Sequence, residues 1–241
     1  MDFISDQINA AKLFAQTMIV VDDDTSTSGE VRGDDIPANI ETPGRGAALG
    51  ADQDVNPISE NSGDPLDAKA LIEQSLELGL ICSVLVPSKT DQVVQKVAKA
   101  AERADIVSLD WQMHRDDGDL AKKIIKKIVD KDSKSGGRLR LVAIYTGVRD
   151  RDRIFTDILT ELPETTRQKY GIRIADDCIT SNNGLRVVWL LKETNVAIDP
   201  SLGDFQVSEK NLPERLQMEF AKLSQGLLSN VALELQLFIA L

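Results

Sequence analysis

Five short apolar segments recur along the chain, and stretches with helical spacing separate them. They are MIVV at 18–21, LICSVLV at 80–86, DIVSL at 105–109, RLRLVAIY at 138–145 and LRVVWLL at 185–191. Continuous apolar runs are typical of parallel strands buried on both faces, whereas half-exposed strands alternate in polarity. The chain is therefore predicted to form a doubly wound α/β fold. In this fold helices cover both faces of a central parallel five-stranded sheet, giving a three-layer sandwich.

Two parts of the chain do not fit this alternation. Residues 1–16 are predicted to form a separate N-terminal helix, and residues 17–241 to form the domain itself. Residues 25–64 are rich in Gly, Ser, Asp and Pro. Such a segment cannot bury enough apolar surface to offset its ordering entropy, so it is predicted to be a flexible acidic insertion. A helix is expected to start again at Asp64 and Pro65.

Charge and composition exclude several classes of function. The chain carries 28 Lys and Arg against 39 Asp and Glu, a formal net charge of −11, which argues against nucleic-acid binding by this domain. It has no apolar run of the ~20 residues that cross a bilayer and no signal peptide, so no membrane association is expected. Cys82 and Cys178 lack metal-binding spacing and are expected to be reduced thiols in a cytoplasmic protein.

Polar side chains follow four of the five predicted strands. These residues are Asp22, Asp23 and Asp24 after the first strand, Asp110 after the third, Thr146 after the fourth and Lys192 after the fifth. The carboxyl ends of parallel strands meet at one edge of a sheet, where ligands of such folds bind. We therefore expect these side chains to converge, except that Asp24 caps a turn or faces solvent.

This combination of side chains suits phosphoryl transfer. Clustered aspartates bind a hard divalent cation through oxygen, and Mg²⁺ is the expected ion because it shares its shell among protein, water and phosphate oxygens. Asp110 is the expected nucleophile towards a phosphoryl group. The transferred group carries negative charge, which the Lys192 ammonium and the Thr146 hydroxyl would stabilise.

The segments VVDDD, IVSLD, VAIYT and VVWLLK, in this order, resemble the response-regulator receiver domain of two-component signalling. The resemblance implies a flavodoxin-like fold and an aspartyl phosphate at Asp110. It implies a Mg²⁺ site formed by Asp22, Asp23, Asp110 and the main-chain carbonyl of Gln112. Thr146 and Lys192 match the family's hydroxyl and lysine residues. Thr146 and Trp189 match its switch pair, although Trp189 also fits an ordinary core position.

Several departures indicate an atypical, divergent member of that family. The 25–64 insertion follows the acidic pair, and about two dozen extra residues, including a strand read as IRIADDCIT, lie between Thr146 and Lys192. Gly147 and Glu193 stand where the family usually has alanine and proline. His114 lies in a polar loop, and we expect it at the surface.

The resemblance implies a signalling role, with a histidine kinase or a phosphotransfer protein as partner. We expect a phosphoacceptor domain with at most self-dephosphorylation, rather than an enzyme with turnover. The apolar end LLSNVALELQLFIAL predicts that the C-terminal helix packs in a homodimer or leads into an output domain.

Two other functions remain open from the sequence. VVDDDTS also resembles the first motif of haloacid-dehalogenase-type phosphatases, with Asp22 as nucleophile and Asp24 as acid and base. The further residues that this phosphatase would use are Thr146, Lys169, Asp176 and Asp177. This alternative leaves Asp110 without a role, and Lys169 is its only good lysine candidate because Lys192 comes too late in the chain. The other alternative is a pseudo-receiver that keeps the fold and serves only as an interaction module.

Overall fold

The structure is a computed structural model that describes residues 3–26, 65–88, 92–193 and 199–224. Its strands are β1 (Thr17–Val21), β2 (Thr25–Ser26), β3 (Leu66–Asp67), β4 (Ile81–Leu85), β5 (Ile106–Leu109), β6 (Arg140–Thr146), β7 (Arg173–Ala175), β8 (Cys178–Thr180), β9 (Leu185–Lys192) and β10 (Gln206–Val207). Its α-helices are α1 (Phe3–Phe14), α2 (Ala68–Glu77), α3 (Val93–Ala101), α4 (Asp119–Lys134), α5 (Arg151–Glu161), α6 (Glu164–Tyr170) and α7 (Leu212–Ala221).

The five predicted strands lie side by side in the order β4-β1-β5-β6-β9, and every neighbouring pair is parallel. One apolar cluster joins one face of this sheet to α3, α4 and α5 through residues such as Val97, Ile124 and Phe155. A second cluster joins the opposite face to α1, α2 and α7 through residues such as Leu71 and Phe220. The predicted doubly wound three-layer sandwich is confirmed, in the 2-1-3-4-5 strand order of flavodoxin-like folds.

Beyond the five-stranded core, β9 also pairs with additional strands. β8 pairs antiparallel with the first half of β9, and β7 pairs antiparallel with β8. β10 pairs parallel with Leu191 and Lys192 at the other end of β9. The prediction of one strand over IRIADDCIT is wrong, because Asp176 adopts a left-handed φ of 53° and turns the chain into a β7–β8 hairpin. Aspartate tolerates this conformation better than most residues.

A small parallel pair closes the base of the inserted segment. Thr25 pairs with Leu66 and Ser26 with Asp67, which holds β2 and β3 together. The expected helix start at Asp64 and Pro65 is wrong, since α2 begins at Ala68. The Asp67 side chain caps it by accepting from the main-chain N–H groups of its second and third residues at 3.1 and 3.0 Å.

Helix α7 is fixed to the sheet by buried charges. Glu219 is 3% exposed, and its carboxylate accepts from Arg186 Nη2 at 3.0 Å and from Lys222 Nζ at 2.8 Å. Arg215 Nε adds a third bond at 3.2 Å. Burial would raise the pKa of Glu219, but the bound Lys222 and Arg186 outweigh it and hold the pKa below its ordinary value. The carboxylate therefore stays ionised inside the protein.

Some predictions fall on residues that the structure does not describe. They are the flexible insertion from residue 27 to residue 64 and the apolar C-terminal end from residue 225 to residue 241. Both stay predictions. Across the described parts of the chain, every helix is too short or too polar to cross a lipid bilayer.

Candidate functional site

Three carboxylates meet at the carboxyl edge of the sheet. Asp22 and Asp23 directly follow β1 and Asp110 directly follows β5; one oxygen from each lies within 4.8 Å of the others. The main chain fixes this approach, because the N–H of Asp110 donates to the carbonyl of Val21 at 3.0 Å. Asp22 is 1% exposed and Asp110 is 8% exposed. Like charges held this close and this deep repel one another unless a cation or a proton compensates them.

Lys192 supplies one compensating charge. Its Nζ lies 2.7 Å from Asp22 Oδ2 and 3.4 Å from Asp110 Oδ2. Burial alone would lower the pKa of the Lys192 ammonium, but the charges of Asp110 and Asp22 outweigh burial and raise it. Burial raises the pKa of Asp22, and the Lys192 ammonium offsets only part of that effect. One ammonium thus serves a site with three acids, which leaves room for a further cation.

Thr146 ends β6, between the strands that carry Asp110 and Lys192. It is fully buried and pairs in register with Leu191, the residue before Lys192. Its Oγ1 accepts from the main-chain N–H of Val148 at 3.3 Å. A hydroxyl that accepts a bond keeps its own proton for donation to another oxygen.

Gln112 lies at the start of the loop that follows Asp110. Its main-chain N–H donates to Asp110 Oδ1 at 3.3 Å, and its carbonyl accepts from the main-chain N–H of Arg115 at 2.8 Å. A carbonyl oxygen has two lone pairs, so this turn bond leaves one for a cation. The loop therefore holds the Asp110 carboxylate through Gln112, whose carbonyl is the predicted fourth ligand.

Trp189 is buried in the core rather than exposed at the site. It is 1% exposed, and its Nε1 donates to the carbonyl of Val148 at 3.0 Å. Its ring lies 5.5 Å from the ring of Phe205, just ahead of β10. Thr146, Val148, Trp189 and Phe205 thus form a continuous series of contacts from the site to the added strand.

His114 is a site residue that sequence reasoning missed. We expected it at the surface, and it is partly exposed there: its main-chain N–H donates to Asp23 Oδ2 at 2.7 Å, and its ring Nδ1 lies 3.1 Å from the same oxygen. The side chain is 21% exposed. The only sequence signal is position, since His114 lies four residues beyond Asp110 in the loop that faces β1.

Only part of the residue set of a haloacid-dehalogenase-type phosphatase assembles: Asp22 and Thr146 lie at the sheet edge, but the others do not join them. Asp24 is exposed. Asp176 and Asp177 form the turn of the β7–β8 hairpin and do not join the acidic group among the described residues. Lys169 lies on α6, with its Nζ 5.1 Å from the ring centre of Tyr170. The geometry therefore favours the reading centred on Asp110.

The donor set fits a magnesium ion by its chemistry. Hard carboxylate oxygens predominate, the described residues of the group include no thiolate, and few protein ligands are offered. An ion held by a few carboxylates keeps open positions for phosphate oxygens, as phosphoryl chemistry requires.

Of the comparisons with known proteins, the one with family models gives a match. No curated protein and no solved structure gave a significant match. The family model of the response receiver domain matches residues 14–197, which run from the end of α1 past Lys192 and include every residue that carries the predicted site. The match covers most of the chain, and the fold and the acidic sheet edge described above agree with it. This protein therefore belongs to the response receiver domain family.

Proposed function

We propose that the chain is a phosphoacceptor of two-component signalling, and that Asp110 takes its phosphoryl group from a histidine kinase or a phosphotransfer protein. The observation that carries this proposal is that Lys192, Asp22 and Asp110 converge at the carboxyl edge of the sheet. Lys192 and Asp22 are in contact there although they lie 170 residues apart in the sequence. The charges also support the proposal: buried charges are normally paired one to one, whereas the Lys192 ammonium contacts both Asp22 and Asp110.

In the proposed transfer a carboxylate oxygen of Asp110 attacks phosphorus. The phosphorus–nitrogen bond of the donor phosphohistidine breaks, the donor nitrogen keeps its electron pair, and an acyl phosphate forms on Asp110. The N–H of Gln112 holds Oδ1 of this carboxylate, while Oδ2 faces the Lys192 ammonium. The two oxygens are therefore distinguished before the donor arrives.

Asp22, Asp23, Asp110 and the carbonyl of Gln112 would hold Mg²⁺. When bound, the ion neutralises carboxylate charge and leaves coordination positions for phosphoryl oxygens. Lys192 Nζ already lies 3.4 Å from Asp110 Oδ2. It therefore needs little movement to reach an oxygen of a phosphoryl group attached to Asp110. The Thr146 hydroxyl would donate to a further phosphoryl oxygen.

The proposed readout runs from Thr146 through Val148 to Trp189. A phosphoryl group that draws the Thr146 hydroxyl towards itself strains the Val148 N–H bond, and the Val148 carbonyl is the acceptor of Trp189 Nε1. Movement of the Trp189 ring would then change its packing on Phe205 and β10. Such local changes of charge and packing are the usual way in which phosphorylation reaches a distant surface. A homodimer contact or an output domain at the C-terminal end, in the cytoplasm, would use this change.

The decisive experiment compares Asp110→Asn with the wild type in acetyl phosphate and Mg²⁺, with the phosphoryl group followed by intact-protein mass spectrometry. We expect stoichiometric labelling of the wild type and none of Asp110→Asn. Asp152→Asn is the matched control, because that side chain is 85% exposed on α5, and it should label normally.

Three results would contradict the proposal. Labelling of Asp110→Asn at the wild-type level would remove Asp110 from its role. Sustained hydrolysis of a small phosphomonoester would favour the phosphatase reading. An unlabelled wild type whose melting temperature does not rise with beryllium fluoride and Mg²⁺ would identify a pseudo-receiver, since a ligand that binds the folded state must stabilise it.

A further inference from the structure

We propose that His114 is a positioning residue that fixes the Asp23 carboxylate for cation binding. This inference rests on the proposed Mg²⁺ site. It assigns a role to a residue four positions beyond the acceptor, in the loop between β5 and α4, and does not make His114 a ligand itself.

The backbone of this loop is strained in a way that aims His114 at Asp23. His114, Arg115 and Asp117 adopt left-handed φ values of 56°, 60° and 52°. Non-glycine residues take this conformation at a cost, and such residues persist only where their surroundings hold them there; they cluster at functional sites. In this conformation the main-chain N–H of His114 points back across the sheet edge to Asp23 Oδ2, 2.7 Å away.

The imidazole ring reinforces the same contact. Nδ1 lies 3.1 Å from Asp23 Oδ2, so the ring contacts the same oxygen that the main-chain N–H holds. Both contacts fall on Oδ2. The Asp23 carboxylate is thereby held through one oxygen, which leaves its other oxygen for a cation.

The geometry favours positioning over direct ligation. The three carboxylates form a group within 4.8 Å, and no His114 nitrogen belongs to that group. The other ring nitrogen, Nε2, is buried without a hydrogen-bond partner among the described residues. His114 therefore acts through Asp23, in the way that groups outside the ligand shell orient metal ligands; loss of such a partner typically weakens metal binding about 10- to 100-fold.

The test is a Mg²⁺ titration of the full chain by isothermal titration calorimetry. We expect His114→Ala to raise the Mg²⁺ dissociation constant at least about tenfold. His114→Asn should restore most of the affinity, because asparagine tolerates the left-handed backbone and its Nδ2 occupies nearly the position of Nδ1. Melting temperatures in EDTA report separately how each variant affects the metal-free fold.

Arg115→Ala is the matched control. Arg115 is the next residue of the loop, has the same left-handed backbone and is exposed. Removing its positive charge would tighten Mg²⁺ binding if it changes it at all, so weakening is expected only at His114.

The outcomes separate this inference from the proposed function. If the wild type itself binds no Mg²⁺, the proposed cation site fails and this inference fails with it. If the wild type binds Mg²⁺ and His114→Ala binds it equally well, only the positioning role is overturned. If His114→Ala does not fold, His114→Gly decides, because glycine favours the left-handed backbone and lacks the ring: a tenfold loss of affinity supports the role, and wild-type affinity overturns it.

Discussion

Replacing Lys192 with methionine should destabilise the metal-free protein more than any surface change. The substitution keeps the apolar stem and removes the ammonium from between two buried carboxylates. At an effective dielectric constant of about 20, the contact with Asp22 at 2.7 Å corresponds to ~6 kcal/mol and that with Asp110 at 3.4 Å to ~5 kcal/mol before desolvation. Desolvation offsets most of this. Removing one partner of a buried pair costs about 3–5 kcal/mol, and we expect ~3 kcal/mol because Lys192 is 19% exposed.

The assay is urea unfolding in EDTA and again in Mg²⁺. A loss of ~3 kcal/mol corresponds to a fall in melting temperature of roughly 6–12 °C for a domain of this size. In Mg²⁺ the deficit should shrink, because the variant has lost the ammonium that competes for the same carboxylates. A ligand at 100 times its dissociation constant contributes ~2.7 kcal/mol. Lys127→Met, at an exposed position on α4, is the control and should change stability little.

The deficit of Lys192→Met should also depend on pH, through Asp22. Burial raises the pKa of Asp22 above its ordinary value of 3.8, and the variant lacks the ammonium that partly offsets this rise. A carboxyl group with a raised pKa in the folded state destabilises the fold as pH rises through that pKa. The deficit should therefore grow as pH rises above 3.8 and through the raised pKa of Asp22. A variant as stable as the wild type in EDTA, or one that gains less from Mg²⁺ than the wild type, would refute this reasoning.

Two further predictions address the helix contact and the switch. Glu219→Gln should cost ~3 kcal/mol of unfolding free energy at pH 7. Because the pKa of the wild-type carboxyl is lowered, this difference is present above the ordinary value of 4.5 and disappears as pH falls through the folded pKa. Urea unfolding of both proteins at pH 7 and at a series of lower pH values checks this. In Trp111→Phe protein, which keeps Trp189 as its single tryptophan, phosphorylation should shift the fluorescence emission. The shift should be absent when Asp110→Asn is added, and an unchanged spectrum of the phosphorylated protein would rule out Trp189 as a switch.

The sheet and the residues at its carboxyl edge could be predicted because their signals are local. Each core strand is a continuous apolar run with a polar residue directly after it, and parallel strands must present those residues together. Asp22, Asp110 and Lys192 were therefore accessible from sequence although they lie far apart in the chain. The roles assigned to them remain proposals.

The parts that were missed depend on conformations that no sequence pattern specifies. The β7–β8 hairpin turns at Asp176, where an Asp-Asp pair stands in place of the more usual Asn-Gly or Asp-Gly. The two-residue strand β10 is too short for any periodicity. The contact of His114 with Asp23 requires a left-handed backbone, and a buried Glu219 makes sense only beside Arg186, 33 residues earlier.

The separation of the site residues along the chain has a consequence for folding. Lys192 contacts Asp22 across 170 residues of sequence, so no local segment can form the pocket. Contacts between residues this far apart in sequence form slowly during folding. During synthesis Asp110 leaves the ribosome well before Lys192 does. A nascent or truncated chain that ends before β9 therefore lacks the ammonium that balances the two buried acids, and competence to accept a phosphoryl group should arise only in molecules that have completed the whole sheet.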